Sequence, residues 1–484
     1  MYFKKMITPK IKNICCIGAG YVGGPTMSVI AEKCPDININ VVDVDEEKIR
    51  LWNSKNLKKL PVFEPGLEDI IKNCRGRNLI FSTNLKEHIS TADMVFISVN
   101  TPTKKRGIGA GQASDLKYVE ACARQVAEYS KGFTIVVEKS TLPVRTAEAI
   151  IKILESQSSQ KNETKNFAVL SNPEFLAEGT AIKDLNFPDR VLIGGENEDA
   201  IQALSEIYKR WVPEKKILHT NIWSSELAKL TANAFLAQRI SSINSIGALC
   251  EATGADVREV ARAIGTDTRI GSKFLDSGPG FGGSCFKKDI LNLVYLSKYY
   301  GLNEVANFWE GVVHLNSWNQ QRISEIVVKK LFGTVTNKKI CILGFACKAN
   351  TDDTRESAAI KICKDLLKEG GNLFIHDPKV NEKQITKDLS CEPYINKVGN
   401  QSDNVLKEST WQKITSLEEG FIDADAVLIL TEWEEYSKIN WESFSNLMRR
   451  PAWIFDSRSI IDIKSIQNTD LNFWRVGDGS NLKS

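Results

Sequence analysis

The stretch Ile11-Lys12-Asn13-Ile14-Cys15-Cys16-Ile17-Gly18-Ala19-Gly20-Tyr21-Val22-Gly23 decides the fold of the N-terminal half. Its apolar run predicts a buried strand, and its glycines allow a tight turn that approaches a pyrophosphate at a helix N-terminus. A second apolar run, 37–42, ends in Asp43, twenty residues beyond Gly23. This context favours a dinucleotide site over an ordinary glycine turn. We expect NAD rather than NADP, because an Asp43 carboxylate on the ribose would repel a 2′-phosphate.

Three further apolar runs extend this pattern toward the centre of the chain. They cover 94–99, 133–137 and 167–170, and polar residues follow each one. Strands that alternate with amphipathic segments predict a parallel sheet wrapped by helices, and ligands bind at the carboxyl ends of such strands. Residues 100–103 and 140–141 are therefore candidate cofactor contacts, although each could equally be a simple turn residue.

The same order of segments recurs near the C-terminus. An apolar run at 340–343 meets Gly344, and the segment 425–431 repeats the pattern of 93–98. The second loop keeps one glycine of the fingerprint, so we expect a different nucleotide-like ligand there. The predicted fold is α/β, with two Rossmann-like doubly wound parallel-sheet domains joined by a central helical domain. The expected domains are an NAD-binding domain, a central helical domain and a second nucleotide-binding domain, at residues 1–222, 223–332 and 333–484.

A long helix is predicted over 224–252, with Ser224 or Ser225 as its N-cap and Gly254 marking its end. Lys229 and Asn233 share one face of it and interrupt an apolar stretch. A lysine in such a setting either has a function or snorkels at an interface. Two segments are interpreted as irregular: a surface loop at 381–416 and a frayed tail at 477–484.

Composition excludes several classes of function. The net charge is +3, and no apolar run reaches the length of a membrane span, so neither nucleic acid nor a membrane is an expected partner. The N-terminus lacks the apolar run of a secretory signal. None of the eleven cysteines forms a Cys-x-x-Cys pair, and the four histidines do not cluster with cysteines or carboxylates. We therefore expect a cytoplasmic protein with no metal site.

The most reactive candidate residue is Cys285, in Gly280-Phe281-Gly282-Gly283-Ser284-Cys285-Phe286-Lys287-Lys288-Asp289. If Cys285 opens a helix, the helix dipole and the two lysines favour its thiolate. A thiol can capture an aldehyde, and the adduct can lose a second hydride. With the dinucleotide loop, this indicates a dehydrogenase that oxidises an alcohol to an acid. A buried structural cysteine is the alternative.

Four motifs together resemble those of the UDP-glucose/GDP-mannose dehydrogenase family, in its animal-type UDP-glucose-oxidising branch. They are 171–179, 232–235, 280–289 and 353–357, and the resemblance extends from about Ile11 to about Asp462. It implies NAD-dependent four-electron oxidation of UDP-glucose to UDP-glucuronate, a precursor for glycosaminoglycan, proteoglycan and glucuronide synthesis. It also implies that the central domain, 223–332, mediates dimerisation, that the C-terminal domain, 333–484, binds the UDP-sugar, and that dimers assemble into hexamers.

The resemblance implies a role for each catalytic residue. Cys285 would add to the aldehyde as a thiohemiacetal, which a second NAD oxidises to a thioester that water hydrolyses. Lys229 would stabilise the oxyanion. Asp289, with Lys229, would hold or activate the water, and Thr141 would position it. The remaining catalytic candidates are Glu174, for acid–base steps, and Asn233.

The resemblance also implies two sets of binding residues. The cofactor set is Gly18, Ala19, Gly20, Tyr21, Val22, Gly23, Asp43, Lys48, Val99, Asn100, Thr101, Pro102, Thr103, Ser140, Thr141, Glu178, Cys285 and Arg355. The substrate set is Glu174, Phe175, Leu176, Ala177, Glu178, Lys229, Asn233, Arg269, Phe274, Asp276, Gly280, Phe281, Gly282, Cys347, Lys348 and Arg458. Arg269 would reach the sugar bound by a neighbouring subunit.

This chain departs from the family pattern at several positions. Lys48 stands where an arginine is usual, and Asp276 stands where a lysine is usual. Ala349 and Ser459 replace a lysine and an arginine. The changes at 276, 349 and 459 remove positive charge, and Asp276 adds a negative charge, so we expect weaker UDP-sugar binding. The exchange at Lys48 bears on NAD affinity instead. Alternatives are oxidation of GDP-mannose or a UDP-N-acetylhexosamine, a two-electron hydroxyacid dehydrogenase, and a non-catalytic NAD- or sugar-binding regulator.

Overall fold

The computed structural model describes residues 9–141, 143–160, 166–394 and 409–480. The chain divides into two compact units. The first comprises Met1–Ala232 and Leu291–Gly301, and the second comprises Asn233–Ile290 and Leu302–Ser484. Two helices contribute residues to both units.

An eight-stranded sheet forms the core of the first unit, with strand order β3-β2-β1-β4-β5-β6-β7-β8. Its strands are parallel except that β6 and β7 meet as an antiparallel pair at Ser171 and Gly194. The predicted strands are confirmed to within two residues at either end. The strands are Asn13–Ile17 (β1), Asn38–Val42 (β2), Leu79–Ser82 (β3), Met94–Ile97 (β4), Phe133–Glu138 (β5), Asn166–Ser171 (β6), Val191–Gly194 (β7) and Ile217–Thr220 (β8).

Helices cover both faces of this sheet because its strands are apolar on both sides. Met94 and Phe96 face one core, whereas Val95 and Ile97 face the other, as alternation along a strand requires. The helices are Gly23–Lys33 (α1), Glu46–Trp52 (α2), Leu67–Cys74 (α3), Leu85–Ser90 (α4), Lys117–Tyr129 (α5), Thr146–Gln160 (α6), Ala181–Asn186 (α7) and Glu198–Tyr208 (α8).

A helical region follows, and its long helix is confirmed. Its members are Ile222–Thr253 (α9), Val257–Gly265 (α10), Phe286–Tyr299 (α11) and Asn303–Lys330 (α12). The predicted N-cap is wrong: Asn221 Oδ1 accepts the amide of Ser224 at 2.8 Å, and Ser225 Oγ donates to Ser171 O. Gly254 ends α9 with φ +85°, as predicted. No described helix is both long and apolar enough to cross a membrane.

The second sheet has six parallel strands in the order β11-β10-β9-β12-β13-β14. This repeats the order of the first six strands of the N-terminal sheet, so the predicted second Rossmann-like domain is confirmed. Its elements are Lys339–Leu343 (β9), Ala358–Lys368 (α13), Asn372–His376 (β10), Glu382–Leu389 (α14), Trp411–Lys413 (β11), Leu417–Phe421 (α15), Ala426–Ile429 (β12), Glu434–Ser437 (α16), Trp441–Ser445 (α17), Trp453–Asp456 (β13) and Asn472–Arg475 (β14).

Two interpretations of irregular structure are wrong where the structure describes them. The segment 381–416 contains α14 and β11, because its apolar residues Ile385, Leu389 and Trp411 are buried; residues 395–408 lie outside the described residues. The tail is ordered through residue 480: Gly477 donates to Glu251 Oε1 at 2.7 Å, and Gly479 donates to Ala255 O. Residues 481–484 lie outside the described residues.

Candidate active site

The glycine loop of the first unit has the backbone geometry that its sequence predicts. Gly18 has φ +109°, and a Cβ there would lie 2.2 Å from Ser98 O. A Cβ on Gly23 would lie 2.0 Å from Gly18 O, so the start of α1 packs directly on the loop. Nothing lies within 4 Å of a Cβ placed on Gly20. The loop therefore needs Gly18 and Gly23 for its own packing, whereas Gly20 leaves open space in which a ligand can approach the backbone.

Asp43 closes the other side of this loop. Its Oδ2 accepts the Ala19 amide at 2.9 Å and Lys48 Nζ at 3.0 Å, and its Oδ1 accepts the Asp45 amide. Although burial acts to raise the pKa of Asp43, these hydrogen bonds hold it below its usual value. The carboxylate is thus ionised and adjacent to the glycine loop, where it fits a ribose diol.

The carboxyl ends of β4 and β5 are joined by side-chain hydrogen bonds. Thr101 Oγ1 donates to Thr141 O at 3.0 Å, and Ser140 Oγ donates to Val99 O at 2.7 Å. The two predicted groups, 100–103 and 140–141, therefore lie together at one edge of the sheet. The neighbouring positions Pro102 and Thr103 are half-buried on the same loop, and Asn100 is exposed.

A buried ion pair forms where β6 ends and α9 begins. Lys229 Nζ lies 3.1 Å from Glu174 Oε1, and the side chains are only 5% and 7% exposed. Glu174 Oε2 also accepts the Leu176 amide at 2.7 Å. Lys229 lies 5.4 Å from the ring centre of Phe175. The sequence left open whether Lys229 snorkels; the structure instead buries its ammonium beside a carboxylate and an aromatic face.

The sequence analysis missed two buried charged residues of the first unit, Lys139 and Glu64. Lys139 is 4% exposed and donates to Asn172 Oδ1 at 3.0 Å. Burial lowers the pKa of Lys139 to about 8. Glu64 accepts the amides of Gly179 and Ala181 at 2.7 and 3.0 Å, which anchors the loop that carries the half-buried Glu178. The sequence signal for Lys139 was a charged residue shortly after the apolar run 133–137.

Two carboxyls meet at the end of β5. Glu226 accepts the amides of Arg145 and Ala147 at 2.7 and 2.9 Å. Burial raises the pKa of Glu226 to about 7. Burial, reinforced by the neighbouring charge of Glu226, raises the pKa of Glu138 well above its usual value. Burial therefore shifts both carboxyls toward their protonated forms.

Cys285 immediately precedes α11 in the second unit, as the sequence predicts. Its carbonyl accepts the Asp289 amide at 2.9 Å, the first hydrogen bond of that helix. The thiol is half-buried, and Ser284 Oγ lies 3.3 Å from Sγ. The predicted help from the lysines is weakened by their partners: Lys287 Nζ lies 2.8 Å from Glu356, and Lys288 Nζ lies 4.0 Å from Asp289.

Asp289, in the first turn of α11, forms a buried pair with Asn233 of α9. Asn233 Nδ2 donates to Asp289 Oδ2 at 2.6 Å, and the two residues are 6% and 1% exposed. The amide of Asn233 thus fixes one oxygen of the carboxylate. An ordered carboxylate one helical turn beyond a thiol can direct a water or a proton at the substrate.

Three buried asparagines hold the loop that precedes Cys285, and the sequence analysis missed all three. Asn316 accepts the Phe281 amide at 2.8 Å and donates to Phe281 O at 3.0 Å. Asn319 donates to Gly278 O, and Asn244 accepts the Gly278 amide. Buried amides on α9 and α12 were the available signal. Gly280 has φ +114° and packs against Asn316, which explains why this position is glycine.

The loop after β9 lies beside that glycine loop within the same unit. Gly283 donates to Arg355 O at 2.8 Å, and Arg355 is held by both oxygens of Asp353, at 2.7 and 2.9 Å. Arg458 donates to the carbonyls of Leu430 and Cys347. Lys348 is half-buried on the same loop. Cys347, Arg355 and Arg458 therefore lie beside the glycine loop that precedes Cys285.

Three predicted substrate residues lie on the surface between α10 and the glycine loop. Arg269 is 88% exposed and pairs with Asp267 at 2.6 Å. Phe274 is 40% exposed with φ +61°, and Asp276 is also exposed. All three side chains are therefore open to solvent, and their roles in substrate binding stay predictions.

Models of the UDP-glucose/GDP-mannose dehydrogenase family match three consecutive parts of the chain. The NAD-binding model matches residues 12–212, the central model 223–318 and the UDP-binding model 341–463. The chain belongs to this family.

Relatives and solved structures in the family extend over nearly the full chain. A Bos taurus UDP-glucose 6-dehydrogenase is 56% identical over 94% of this chain and 90% of its own length. A Glycine max UDP-glucose 6-dehydrogenase is 52% identical over 96% and 97%. The structure of a UDP-glucose dehydrogenase from Pyrobaculum islandicum matches with a TM-score of 0.80, 27% identity and 99% coverage of both chains. Family membership and the NAD-binding fold are thereby shown.

Proposed function

We propose that this chain catalyses the NAD-dependent four-electron oxidation of UDP-glucose to UDP-glucuronate. The observation that carries the proposal is Cys285 at the start of α11, with Asp289 one turn later and an asparagine-braced glycine loop before it. Relatives from an animal and a plant that are 52–56% identical are both named UDP-glucose 6-dehydrogenases. A nucleophilic thiol distinguishes this chemistry from a single two-electron oxidation.

The residues of the first unit fit NAD. The open space at Gly20, the ionised Asp43 and an α1 that starts without a side-chain cap or an acidic first turn all suit an anionic dinucleotide. NAD bound here would accept the hydride lost in each of the two oxidations. Lys48, the strand-end residues at 99–103 and 140–141, and Glu178 are the further proposed contacts in this unit, and Arg355 and Cys285 of the second unit are also proposed cofactor contacts.

Lys229 stabilises negative charge on the reacting substrate oxygen, and Glu174 transfers protons to and from it. The Lys229 ammonium is fixed in a dry setting by Glu174, so it stabilises negative charge on the substrate oxygen with little reorganisation. Glu174, which also holds the Leu176 amide, exchanges protons with that oxygen. We propose that Thr141 positions the hydrolytic water.

Cys285 provides the covalent step. Its thiolate adds to the aldehyde carbon to give a thiohemiacetal, and oxidation of that adduct leaves a thioester on Sγ. Asp289, oriented by Asn233, takes a proton from the water that cleaves the thioester. Cleavage releases the carboxylate product and restores the thiol.

The organisation of the chain supports a separate function for each of three domains. We assign NAD binding to residues 1–222, helical dimerisation to 223–332 and UDP-sugar binding to 333–484, with Arg458 and Lys348 near the diphosphate. Arg269 is exposed enough to reach a neighbouring copy, in keeping with a dimer that forms hexamers. Eight of the eleven cysteines are buried, which suits the reducing cytoplasm.

The first test counts NADH formed per molecule of limiting UDP-glucose with excess NAD. Two NADH per sugar are expected. One NADH would make Cys285 auxiliary and overturn the four-electron reaction. None would redirect the search to GDP-mannose and UDP-N-acetylhexosamines, and then to a non-catalytic binding role.

The second test is Cys285→Ser, with Cys391→Ser as a matched control on an exposed thiol. Turnover of UDP-glucose to acid should fall by at least about a thousandfold in Cys285→Ser, because the thiolate nucleophile is lost and a serine hydroxyl is far less readily deprotonated. Cys391→Ser should match the wild type. Sustained production of UDP-glucuronate by Cys285→Ser would overturn the nucleophile assignment.

A further inference from the structure

Cys285 and Cys347 differ from the other cysteines in their exposure. Eight cysteines are buried and Cys391 is exposed, whereas these two are half-buried. Both belong to the second unit. Each lies on a loop rather than within a strand or helix: Cys285 precedes α11, and Cys347 follows β9. They therefore combine access for a small reagent with backbone that can adjust.

The two loops are packed against each other. A Cβ built on Gly283 would lie 3.9 Å from Cys347 Sγ, and a Cβ on Gly282 would lie 2.5 Å from Glu356 O. The Gly283 amide also donates to Arg355 O at 2.8 Å. The thiol of Cys347 thus lies at van der Waals distance from a side-chain position two residues before Cys285.

We propose that Cys285 and Cys347 form an intramolecular disulfide after a peroxide oxidises Cys285, and that this cross-link inactivates the enzyme reversibly. A disulfide needs Cα atoms about 4.4–6.8 Å apart, which two residues on touching loops can reach. Gly283, at φ +85°, gives the segment before Cys285 freedom to move. The loss of activity rests on the proposed function, whereas the cross-link itself does not.

The chemistry balances without a cofactor. The Cys285 thiolate attacks the O–O bond of a peroxide, which breaks to give a sulfenic acid and hydroxide, or alkoxide from an organic peroxide. The sulfur of Cys347 then attacks the sulfenic sulfur: an S–S bond forms, the S–O bond breaks and hydroxide leaves, taking up the thiol proton as water. Two thiols lose two electrons, and the peroxide gains them. Without Cys347, a second peroxide drives the sulfenic acid to sulfinic acid, which common thiol reductants do not reverse.

The test treats the purified full chain with hydrogen peroxide, alkylates remaining thiols under denaturing conditions and measures intact mass and linked peptides. The wild type should lose about 2 Da before alkylation and yield one cross-linked peptide pair that contains Cys285 and Cys347. Dithiothreitol should then restore most of its activity.

Two variants separate the cross-link from general oxidation. In Cys347→Ser, Cys285 should gain about two oxygen atoms. Dithiothreitol should then recover roughly tenfold less activity than in the wild type, each relative to its own untreated sample, because sulfinic acid resists reduction. Cys391→Ser should behave as the wild type in both measurements.

A wild type in which Cys285 becomes sulfinic while Cys347 stays alkylatable would overturn the proposal. Equal recovery of the wild type and Cys347→Ser would do so too. A linked Cys285–Cys347 peptide in a protein that oxidises no UDP-glucose would support the disulfide and refute the proposed function, so the two failures are distinguishable.

Discussion

The first strand of each sheet ends in a glycine that lies against the fourth strand. Gly18 has φ +109° and a Cβ there would be 2.2 Å from Ser98 O; Gly344 has φ +95° and a Cβ would be 2.3 Å from Thr431 Cβ. In both sheets the glycine amide donates at 2.8 Å to the last residue of the second strand. Packing within each sheet therefore requires a glycine at this position, and each half of the chain has one.

The carboxylate after the second strand distinguishes the halves. Asp43 is bound by two backbone amides and Lys48, and its side chain remains 11% exposed. Asp377 is 3% exposed and accepts four backbone amides, including those of Phe345 and Ala346, as well as the indole of Trp433. The carboxylate of Asp377 is therefore occupied in holding its own loop, whereas the carboxylate of Asp43 remains accessible to a ligand.

The helices that follow the two loops differ in how their N-termini are capped. α1 begins at Gly23 with no side-chain cap and no acidic residue in its first turn. The N-terminus of α13 is capped by Ser357, whose Oγ accepts the Ala359 amide and donates to Phe345 O at 2.9 Å. One scaffold thus leaves its donors available to a dinucleotide, and the other satisfies them internally. The two halves share a strand order. They differ in whether the polar groups of the glycine loop and the following helix already have hydrogen-bond partners within the protein.

The largest expected effect concerns the feature that the two halves share, the glycine after the first strand of each sheet. Gly18→Ala and Gly344→Ala should each lower the free energy of unfolding by about 3 kcal/mol, since a methyl meets the fourth strand at a φ that alanine avoids. Urea denaturation of the full chain measures it. Gly132→Ala is the control: its φ is +73° with nothing within 4 Å, so about 1 kcal/mol is expected. Equal losses in all three variants would contradict the packing argument.

The repeated order of segments made this comparison predictable, but not its decisive contacts. Gly18, Asp43 and the echo of 93–98 in 425–431 are visible as local patterns, because strands and tight turns depend on neighbouring residues. The capture of Asp377 by Trp433 joins residues 56 positions apart, and the bracing of Phe281 by Asn316 spans 35. A single sequence does not encode such pairings locally, so these parts of the site required the structure.

The second prediction compares the carboxyls that end the fifth strand in each sheet. Between the usual pKa of Glu226 and its folded value of about 7, the folded chain holds a proton that the unfolded chain loses. Stability is therefore fully present at acidic pH and falls as the pH rises through 7, by about 2 kcal/mol between pH 5 and pH 8. Burial also raises the pKa of Glu138, so Glu138→Gln removes a second group that takes up a proton on folding and should reduce this slope in urea denaturation across that range.

Asp456 is the matched control for that slope. Burial raises its pKa too, yet it accepts the amides of Arg458, Ile460 and Ile461 and lies 3.8 Å from Arg475. Asp456→Asn should lower stability at every pH from 5 to 8, because it disturbs these bonds. An unchanged slope in Glu138→Gln would show that Glu138 takes up no proton on folding.

The third prediction isolates ligand contact from loop packing. Gly20→Ala adds a methyl where nothing lies within 4 Å, so unfolding should be unchanged. NAD affinity, measured by calorimetry, should fall roughly tenfold, because the methyl occupies the approach to the backbone. Ala346→Gly, the matched position in the second loop, should leave NAD affinity unaltered. Undiminished affinity in Gly20→Ala would remove this loop from the cofactor site.

The smallest effect concerns the two aspartates that define the contrast. Asp43→Asn keeps an acceptor for Ala19 but loses the charge, so NAD affinity should fall about fivefold, near 1 kcal/mol. Asp377→Asn should instead lower the unfolding free energy, because an amide cannot accept the same set of backbone donors, and NAD affinity should remain that of the wild type. Calorimetry and urea denaturation on both variants give a crossed result if the halves have diverged as the contacts indicate. Loss of NAD affinity in Asp377→Asn without any change in stability would reverse the roles assigned to the two loops.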